Sequence, residues 1–177
     1  PGEFRPPAWI ANRHLQSILP SLPFRRPAIE RRARAVRVAS RPLVLDCGDG
    51  VRLLGLHAAP PAGIPVAAPR LAVLLHGWEG SADSLYLLSL AQILHERGFD
   101  VVRLNLRDHG GTHALNRELF HSCRLPEVVG AVQRLQSLFP QHRLMLAGFS
   151  LGGNFCLRVG ARAGAVGLAI ARIVAGC

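Results

Sequence analysis

The stretch Gly148-Phe149-Ser150-Leu151-Gly152-Gly153 lies between a short apolar run and a segment that can form a helix. Residues 143–147 have the length and composition of a strand buried on both faces, and residues 151–163 can continue as the helix. The pattern G-x-S-x-G at such a turn is typical of a serine nucleophile, because the two glycines avoid collisions across the sharp bend. The sequence therefore predicts that Ser150 is catalytic. The alternative is a glycine-rich turn that contains a serine by accident.

The residues after Ser150 lack the other members of a catalytic triad. A serine hydroxyl is a weak nucleophile unless a base takes its proton and an acid orients that base. In strand-turn-helix sites of this kind both partners follow the serine in the chain. No Asp, Glu or His occurs between Leu151 and Cys177. We therefore expect the chain to be the front part of a longer protein, and to be inactive or nearly so by itself.

A second loop supplies the expected partner of the serine turn. A buried-strand run at residues 70–75 ends in His76-Gly77-Trp78-Glu79-Gly80-Ser81. Where such a serine turn is catalytic, a loop that begins with an HG pair supplies one oxyanion donor, and the residue after the serine supplies the other. We therefore assign the oxyanion hole to the backbone N–H groups of Trp78 and Leu151. We expect His76 to be a structural histidine that ties the loop down through its ring nitrogens.

The remaining pattern predicts an α/β fold in which an antiparallel hairpin precedes a parallel β-α-β-α-β-α-β order. Gly48-Asp49-Gly50 is a hairpin signal between strands at 43–46 and 51–56. Further strands are expected at 70–75, 100–106, 143–147 and 171–177, and helices at 84–97 (closed by Gly98), from Pro126 to about 138, and at 151–163. We divide the chain into an Arg- and Pro-rich lead, residues 1–42, with a short helix near 8–19, and a core, residues 43–177, that is incomplete at its C-terminal end.

The formal charge of +10 is consistent with a nucleic-acid or anionic-membrane partner. All 21 basic residues are arginine, however, a usage that is typical of a genome-wide coding bias. No nucleic-acid-binding motif is present. We therefore expect no nucleic-acid partner and a solvated basic lead, and we leave open a peripheral contact with an acidic lipid surface. The longest small-apolar stretch, residues 163–171, is too short to span a bilayer, so no transmembrane segment is expected.

Cysteine and histidine spacing predicts neither a metal site nor a cofactor. The cysteines are scattered without a C-x-x-C pair: Cys47, Cys123, Cys156 and Cys177. This spacing argues against a zinc site and against a disulfide framework. Reduced thiols fit a cytoplasmic protein. His109 and His113 are four apart, but Gly110-Gly111 between them argues against a helix that could present both to a metal. We expect Asp108 and His109 to stabilise a turn rather than to act in catalysis.

Several segments resemble the YheT-like branch of the α/β-hydrolases, which also contains the ABHD-type esterases and acyltransferases. They are residues 7–18 (PAWIANRHLQSI), 76–81 (HGWEGS), 105–111 (NLRDHGG), 120–122 (FHS) and 148–154 (GFSLGGN). The resemblance implies the N-terminal portion of an α/β-hydrolase fold. Two departures, Cys123 where glycine is common and Glu127 where aspartate is common, affect the packing at a helix entry.

The resemblance also implies a function, a carboxylic-ester hydrolase in which Ser150 is the nucleophile. Short- to medium-chain esters or acylglycerols, small-molecule or lipid substrates of lipid metabolism, are the expected substrates. In the family the acid and the histidine lie nearer the C-terminus, so we assign neither role to a residue here. Two alternatives remain: an acyltransferase that passes an acyl group from a thioester to an alcohol, and a non-catalytic binding protein with the same fold.

Overall fold

The structure, a computed structural model, describes residues 5–19 and 22–176. The strands in these residues form one sheet of six. The helices are α1 (Arg13–Ile18), α2 (Arg26–Arg32), α3 (Arg34–Ala39), α4 (Leu85–Glu96), α5 (Leu125–Leu138) and α6 (Leu151–Arg162). The strands are β1 (Arg41–Asp46), β2 (Arg52–Ala58), β3 (Arg70–Leu75), β4 (Asp100–Leu104), β5 (Arg143–Phe149) and β6 (Ile170–Gly176).

The order of strands across the sheet is β1-β2-β4-β3-β5-β6. β1 and β2 pair antiparallel around the turn at residues 48–50, where all three residues have positive φ. β2 is also antiparallel to β4, while β4, β3, β5 and β6 are parallel to their neighbours. These pairings confirm the predicted arrangement, a hairpin followed by parallel strands.

The chain changes its direction across the sheet at β3. It passes from β3 through α4 to β4 on one side, then returns through α5 to β5 on the other side of β3. The loop after β3 leads to α4 on one face of the sheet, and the loop after β5 leads to α6 on the opposite face. Such a reversal leaves a crevice at the carboxyl ends of the two strands, which is where α/β proteins bind ligands.

Two hydrophobic layers enclose the sheet, one on each face. Alternate residues of β3 enter them, because side chains along a strand point to opposite faces. Leu71, Val73 and Leu75 pack beneath α5 and α6, whereas Ala72 and Leu74 pack beneath α3 and α4. On α5, four apolar residues are buried beneath the helix and one near its end is exposed: Val128, Val129, Val132 and Leu135 are buried, and Leu138 is exposed.

The lead segment differs from the expected single short helix. In place of a helix over residues 8–19 there is a 3₁₀ turn at Ala8–Ile10 and then α1, whose first turn is capped by Asn12. The Asn12 side chain accepts the His14 N–H at 2.8 Å, which stops the helix from extending towards residue 8. Two further helices in the lead, α2 and α3, were not predicted from the sequence.

The expectation that the lead segment is solvated is only partly correct. Its arginines are exposed, as expected: Arg25, Arg26, Arg31, Arg32, Arg34, Arg37 and Arg41. However, Ala33 and Val36 are fully buried against α4, and the Val36 N–H donates to Gln92 Oε1 at 3.3 Å. The second half of the lead therefore packs on the core. The division of the chain at residue 42 remains a proposal.

Several element ends differ from the expected ones. β4 ends at Leu104 rather than at residue 106, because the buried Asn105 side chain turns to accept the Ala82 N–H at 2.7 Å. The predicted end of α4 is confirmed, since Gly98 has φ of 77° and its N–H donates to His95 O at 3.0 Å. The last strand is confirmed as β6, and Cys177 lies outside the described residues.

Among the helices that the structure describes, none has the length and apolar character needed to cross a membrane.

Candidate active site

Ser150 occupies a strained turn between β5 and α6. Its φ of 50° and ψ of −117° lie in a backbone region that residues other than glycine rarely adopt. Two backbone hydrogen bonds hold the turn: the Ser150 N–H donates to Gly176 O at 2.7 Å, and the Asn154 N–H donates to Ser150 O at 3.0 Å. The residue is exposed. A backbone held in a costly conformation that leaves a hydroxyl at the surface is typical of a nucleophile.

The glycines at 148 and 152 are required because the backbone passes too close for a side chain. A β-carbon on Gly148 would overlap the backbone of Gly152, and one on Gly152 would overlap the carbonyl oxygens of Leu75 and His76. The first of these collisions, across the serine turn, is the one that the G-x-S-x-G pattern predicts. The second shows that the turn after β5 packs directly on the end of β3.

Gly152→Ala is expected to lower the free energy of unfolding by about 3 kcal/mol, the upper end of the usual cost of overpacking, because backbone atoms cannot move aside. Gly164→Ala is the matched control, since nothing lies within 4 Å of a β-carbon built there. We expect that control to change the free energy by no more than about 0.5 kcal/mol. Urea unfolding of the two variants measures the difference, and equal midpoints would contradict this packing.

The loop after β3 lies beside Ser150. A β-carbon built on Gly77 would be 3.4 Å from the Ser150 β-carbon and 3.3 Å from Phe149 O. Trp78 is the next residue, and it is 61% exposed. The structure thus brings together the two segments that the sequence analysis assigns to the nucleophile and to the oxyanion hole.

Hydrogen bonds fix the orientation of the peptide between Gly77 and Trp78. The Gly77 carbonyl oxygen accepts from the His76 ring at 2.7 Å and from the Gly80 N–H at 3.1 Å. In a planar trans peptide the N–H points opposite to the C=O. The Trp78 N–H is therefore directed away from the body of the loop. The Leu151 N–H is the first of α6, so it has no partner within that helix.

His76 is a structural histidine, as the sequence analysis predicts. It is fully buried, and its Nε2 accepts the Leu106 N–H at 3.1 Å while Nδ1 bonds to Gly77 O. Because a backbone N–H can only donate, the ring proton must lie on Nδ1. Burial lowers the pKa of His76 to about 4, which keeps the ring neutral. Both ring nitrogens hold the backbone of the site, and neither is free to act as a base.

The loop that carries Asp108 and His109 is held by its own hydrogen bonds. Asp108 Oδ2 accepts the Phe120 N–H at 2.6 Å, and His109 Nδ1 lies 2.6 Å from Arg107 O. His113 is exposed, with its Nδ1 3.9 Å from Asp108 Oδ1. These contacts confirm the predicted role in stabilising a turn. The structure shows no cluster of three or more potential metal ligands within residues 5–19 and 22–176.

A buried ion pair at the entry of α5 was not predicted from the sequence. Arg107 and Glu127 are both buried, and Arg107 Nη2 donates to Glu127 Oε1 at 2.7 Å while its Nε donates to both carboxylate oxygens. Arg124 joins them at 3.2 Å. The only signal in the sequence is an acidic residue in the first turn of a helix, which is common there. The pair accounts for Glu127 as a packing element at the entry of α5.

The largest of the described cavities, about 780 Å³, does not include Ser150 or Trp78. It lies between the β1–β2 turn and residues 114–127, beside the same ion pairs. Ser150 instead stands on an open surface. Trp78, which follows Gly77 in the loop beside Ser150, forms an aromatic patch with Phe120, and their ring centroids are 5.9 Å apart. The candidate active site is thus an exposed serine, a loop of backbone donors and an apolar wall.

Comparison with known proteins identifies the same fold. Residues 72–175 match the model of a family described as the alpha/beta hydrolase fold. YheT, a proposed esterase of Escherichia coli (strain K12), is 32% identical over 153 residues, which cover 86% of this chain and 42% of YheT. The chain therefore spans less than half the length of that relative.

Solved structures agree with this match. XC6422 from Xanthomonas campestris, an α/β serine hydrolase without a lid, gives a TM-score of 0.62 at 26% identity, over 77% of this chain and 60% of that one. An α/β serine hydrolase homologue from Coxiella burnetii gives a TM-score of 0.60 at 19% identity, over 76% and 61% of the two chains, and this likeness shows the fold alone. The chain belongs to the α/β-hydrolase family.

Proposed function

We propose that the complete protein hydrolyses carboxylic esters through an acyl-enzyme on Ser150. The observation that carries this proposal is the approach of the loop after β3 to the serine, with a β-carbon on Gly77 3.4 Å from that of Ser150. Acyl transfer needs an exposed nucleophile beside backbone donors that can hold an oxyanion. The N–H groups of Trp78 and Leu151 are the proposed donors.

The proposed reaction has two halves. The Ser150 oxygen attacks the ester carbonyl carbon, its proton passes to a base, and the carbonyl oxygen becomes an oxyanion held by the two N–H groups. The bond to the alcohol then breaks, the base returns the proton to the departing alcohol, and the acyl group stays on Ser150. Water repeats the sequence, releases the acid and restores the hydroxyl.

The base and the acid are not assigned to this chain. Among the histidines that the structure describes, none is hydrogen-bonded to Ser150, and His76 is committed to the backbone. We propose that both come from a portion of a longer protein that follows these residues, since YheT is more than twice as long as the matched region. By the same reasoning, the 177 residues alone are expected to show little or no turnover.

The aromatic patch supports a substrate with an apolar acyl or alcohol part. Trp78 follows Gly77, the residue that approaches Ser150, and its ring contacts that of Phe120. Leu119, which precedes Phe120 in the chain, is 78% exposed. Short- to medium-chain esters or acylglycerols fit such a wall, because burial of apolar groups supplies binding without a specific polar partner. A role in lipid metabolism and a cytoplasmic location are part of this proposal.

Release of p-nitrophenol from p-nitrophenyl butyrate by the complete protein tests the proposal. We expect release that saturates with substrate and yields butyric acid in equal amount. An added primary alcohol separates the two enzymes, since an acyltransferase would form the butyrate ester of that alcohol in place of the acid. No release at any substrate concentration would contradict the proposal and favour a non-catalytic binding protein.

A further inference from the structure

Tyr86 contacts the proposed oxyanion loop through its hydroxyl. It is the only tyrosine in the chain and the second residue of α4. Its phenol oxygen accepts the Gly77 N–H at 2.9 Å. Gly77 is the residue immediately before Trp78, so this bond holds the peptide unit that precedes the proposed donor.

The loop is built around the phenol oxygen. A β-carbon on Gly80 would lie 2.8 Å from the Tyr86 oxygen, and one on Gly77 would lie 3.5 Å from it. These glycines therefore allow the hydroxyl to sit inside the curve of the loop. A side chain at position 80 would displace it.

Tyr86 also contacts the serine turn. Its ring meets the ring of Phe149 edge to face, with centroids 5.0 Å apart, and Phe149 immediately precedes Ser150. Such aromatic contacts have a preferred geometry, so they restrict the orientation of both rings. One side chain thus joins the loop after β3 to the turn after β5, across the crevice between them.

The hydrogen bonds around Gly77 hold both polar backbone groups of that residue, which leaves the Trp78 N–H directed outwards. The Gly77 N–H is held by Tyr86, and the Gly77 carbonyl oxygen is held by the His76 ring and the Gly80 N–H. The next group along the backbone is the Trp78 N–H. We propose that Tyr86 is a positioning residue that aligns this N–H with the oxyanion formed at Ser150, an inference that rests on the proposed ester hydrolysis.

Tyr86→Phe in the complete protein tests the inference. The ring and its contact with Phe149 are kept, but the Gly77 N–H loses its acceptor and the loop is free to turn. We expect kcat to fall about 10- to 100-fold, because a donor misplaced by about 1 Å loses most of its effect, while KM changes by less than about twofold. Affinity for an alkyl boronic acid, which forms a tetrahedral adduct on serine, should fall by a similar factor, whereas affinity for the product carboxylate should not.

Ser84→Ala is the matched control. Ser84 Oγ accepts the Ser81 N–H at 2.9 Å, so this variant also loses one side-chain acceptor of a backbone N–H in the same loop, but at a peptide three residues beyond Trp78. We expect a similar drop in thermal midpoint and a wild-type kcat. If the wild-type protein hydrolyses the ester and Tyr86→Phe keeps the wild-type kcat, the role of Tyr86 is overturned. The same holds if both variants lose kcat equally. Neither result overturns the proposed ester hydrolysis. If wild type shows no Ser150-dependent turnover, both proposals are overturned.

Discussion

Ser150→Ala in the complete protein is expected to lower kcat for p-nitrophenyl butyrate by about 10⁵- to 10⁶-fold. The hydroxyl oxygen is the atom that becomes acylated, so its loss leaves only substrate binding and the oxyanion donors to assist attack by water. The fold should be preserved, because Ser150 is exposed and its side chain makes no capping hydrogen bond to α6. Steady-state kinetics with a thermal midpoint for each variant measure both effects.

Ser137→Ala is the control for the removal of a hydroxyl. Ser137 lies on α5, where its Oγ donates to Gln133 O at 3.1 Å. We expect this variant to keep the wild-type kcat. Wild-type kcat in Ser150→Ala would show that the nucleophile lies elsewhere.

Removal of the Trp78 N–H is expected to lower kcat by about 100- to 1,000-fold, the usual cost of one oxyanion donor. Because the donor is a backbone group, a side-chain substitution cannot remove it. Incorporation of the α-hydroxy analogue of tryptophan at position 78 by nonsense suppression replaces the N–H with an oxygen and keeps the indole. The Gly77 carbonyl remains bonded to the His76 ring and the Gly80 N–H, so the loop should keep its shape.

The second tryptophan of the chain provides the control for this experiment. Trp9 is 74% exposed and lies in the lead segment. The same analogue at position 9 makes the same chemical change outside the serine turn and the loop after β3, and it should leave kcat unchanged. Equal activity of the two ester-containing proteins would remove Trp78 from the oxyanion hole.

The parts of the fold with strong local signals could be predicted from the sequence. The turn at residues 48–50 needs three consecutive positive φ angles, which Gly-Asp-Gly favours. The serine turn needs glycine at 148 and 152, where backbone atoms stand in the place of a side chain. Since these requirements act within a few residues, the pattern alone indicates them, and the alternation of strands and helices then indicates the parallel part of the sheet.

Contacts between distant segments could not be predicted in this way. The bond from Gly77 to Tyr86 and the pair of Arg107 with Glu127 depend on how α4 and α5 are placed, and neither has a local pattern. The burial of Val36 could not be predicted either. A segment rich in arginine is expected to be solvated, but two small apolar faces of this segment pack against α4. The sequence therefore indicates the candidate nucleophile and the donors, but not the side chains that hold them in place.

We propose that Ser150 faces the N–H groups of Trp78 and Leu151. A crystal structure of the complete protein after reaction with an alkyl phosphonate ester measures this directly, because the phosphonyl oxygen stands where the oxyanion forms. We predict phosphorus bonded to Ser150 Oγ, with that oxygen about 2.7–3.1 Å from both backbone nitrogens. An adduct on another residue, or a phosphonyl oxygen directed away from residue 78, would contradict the account.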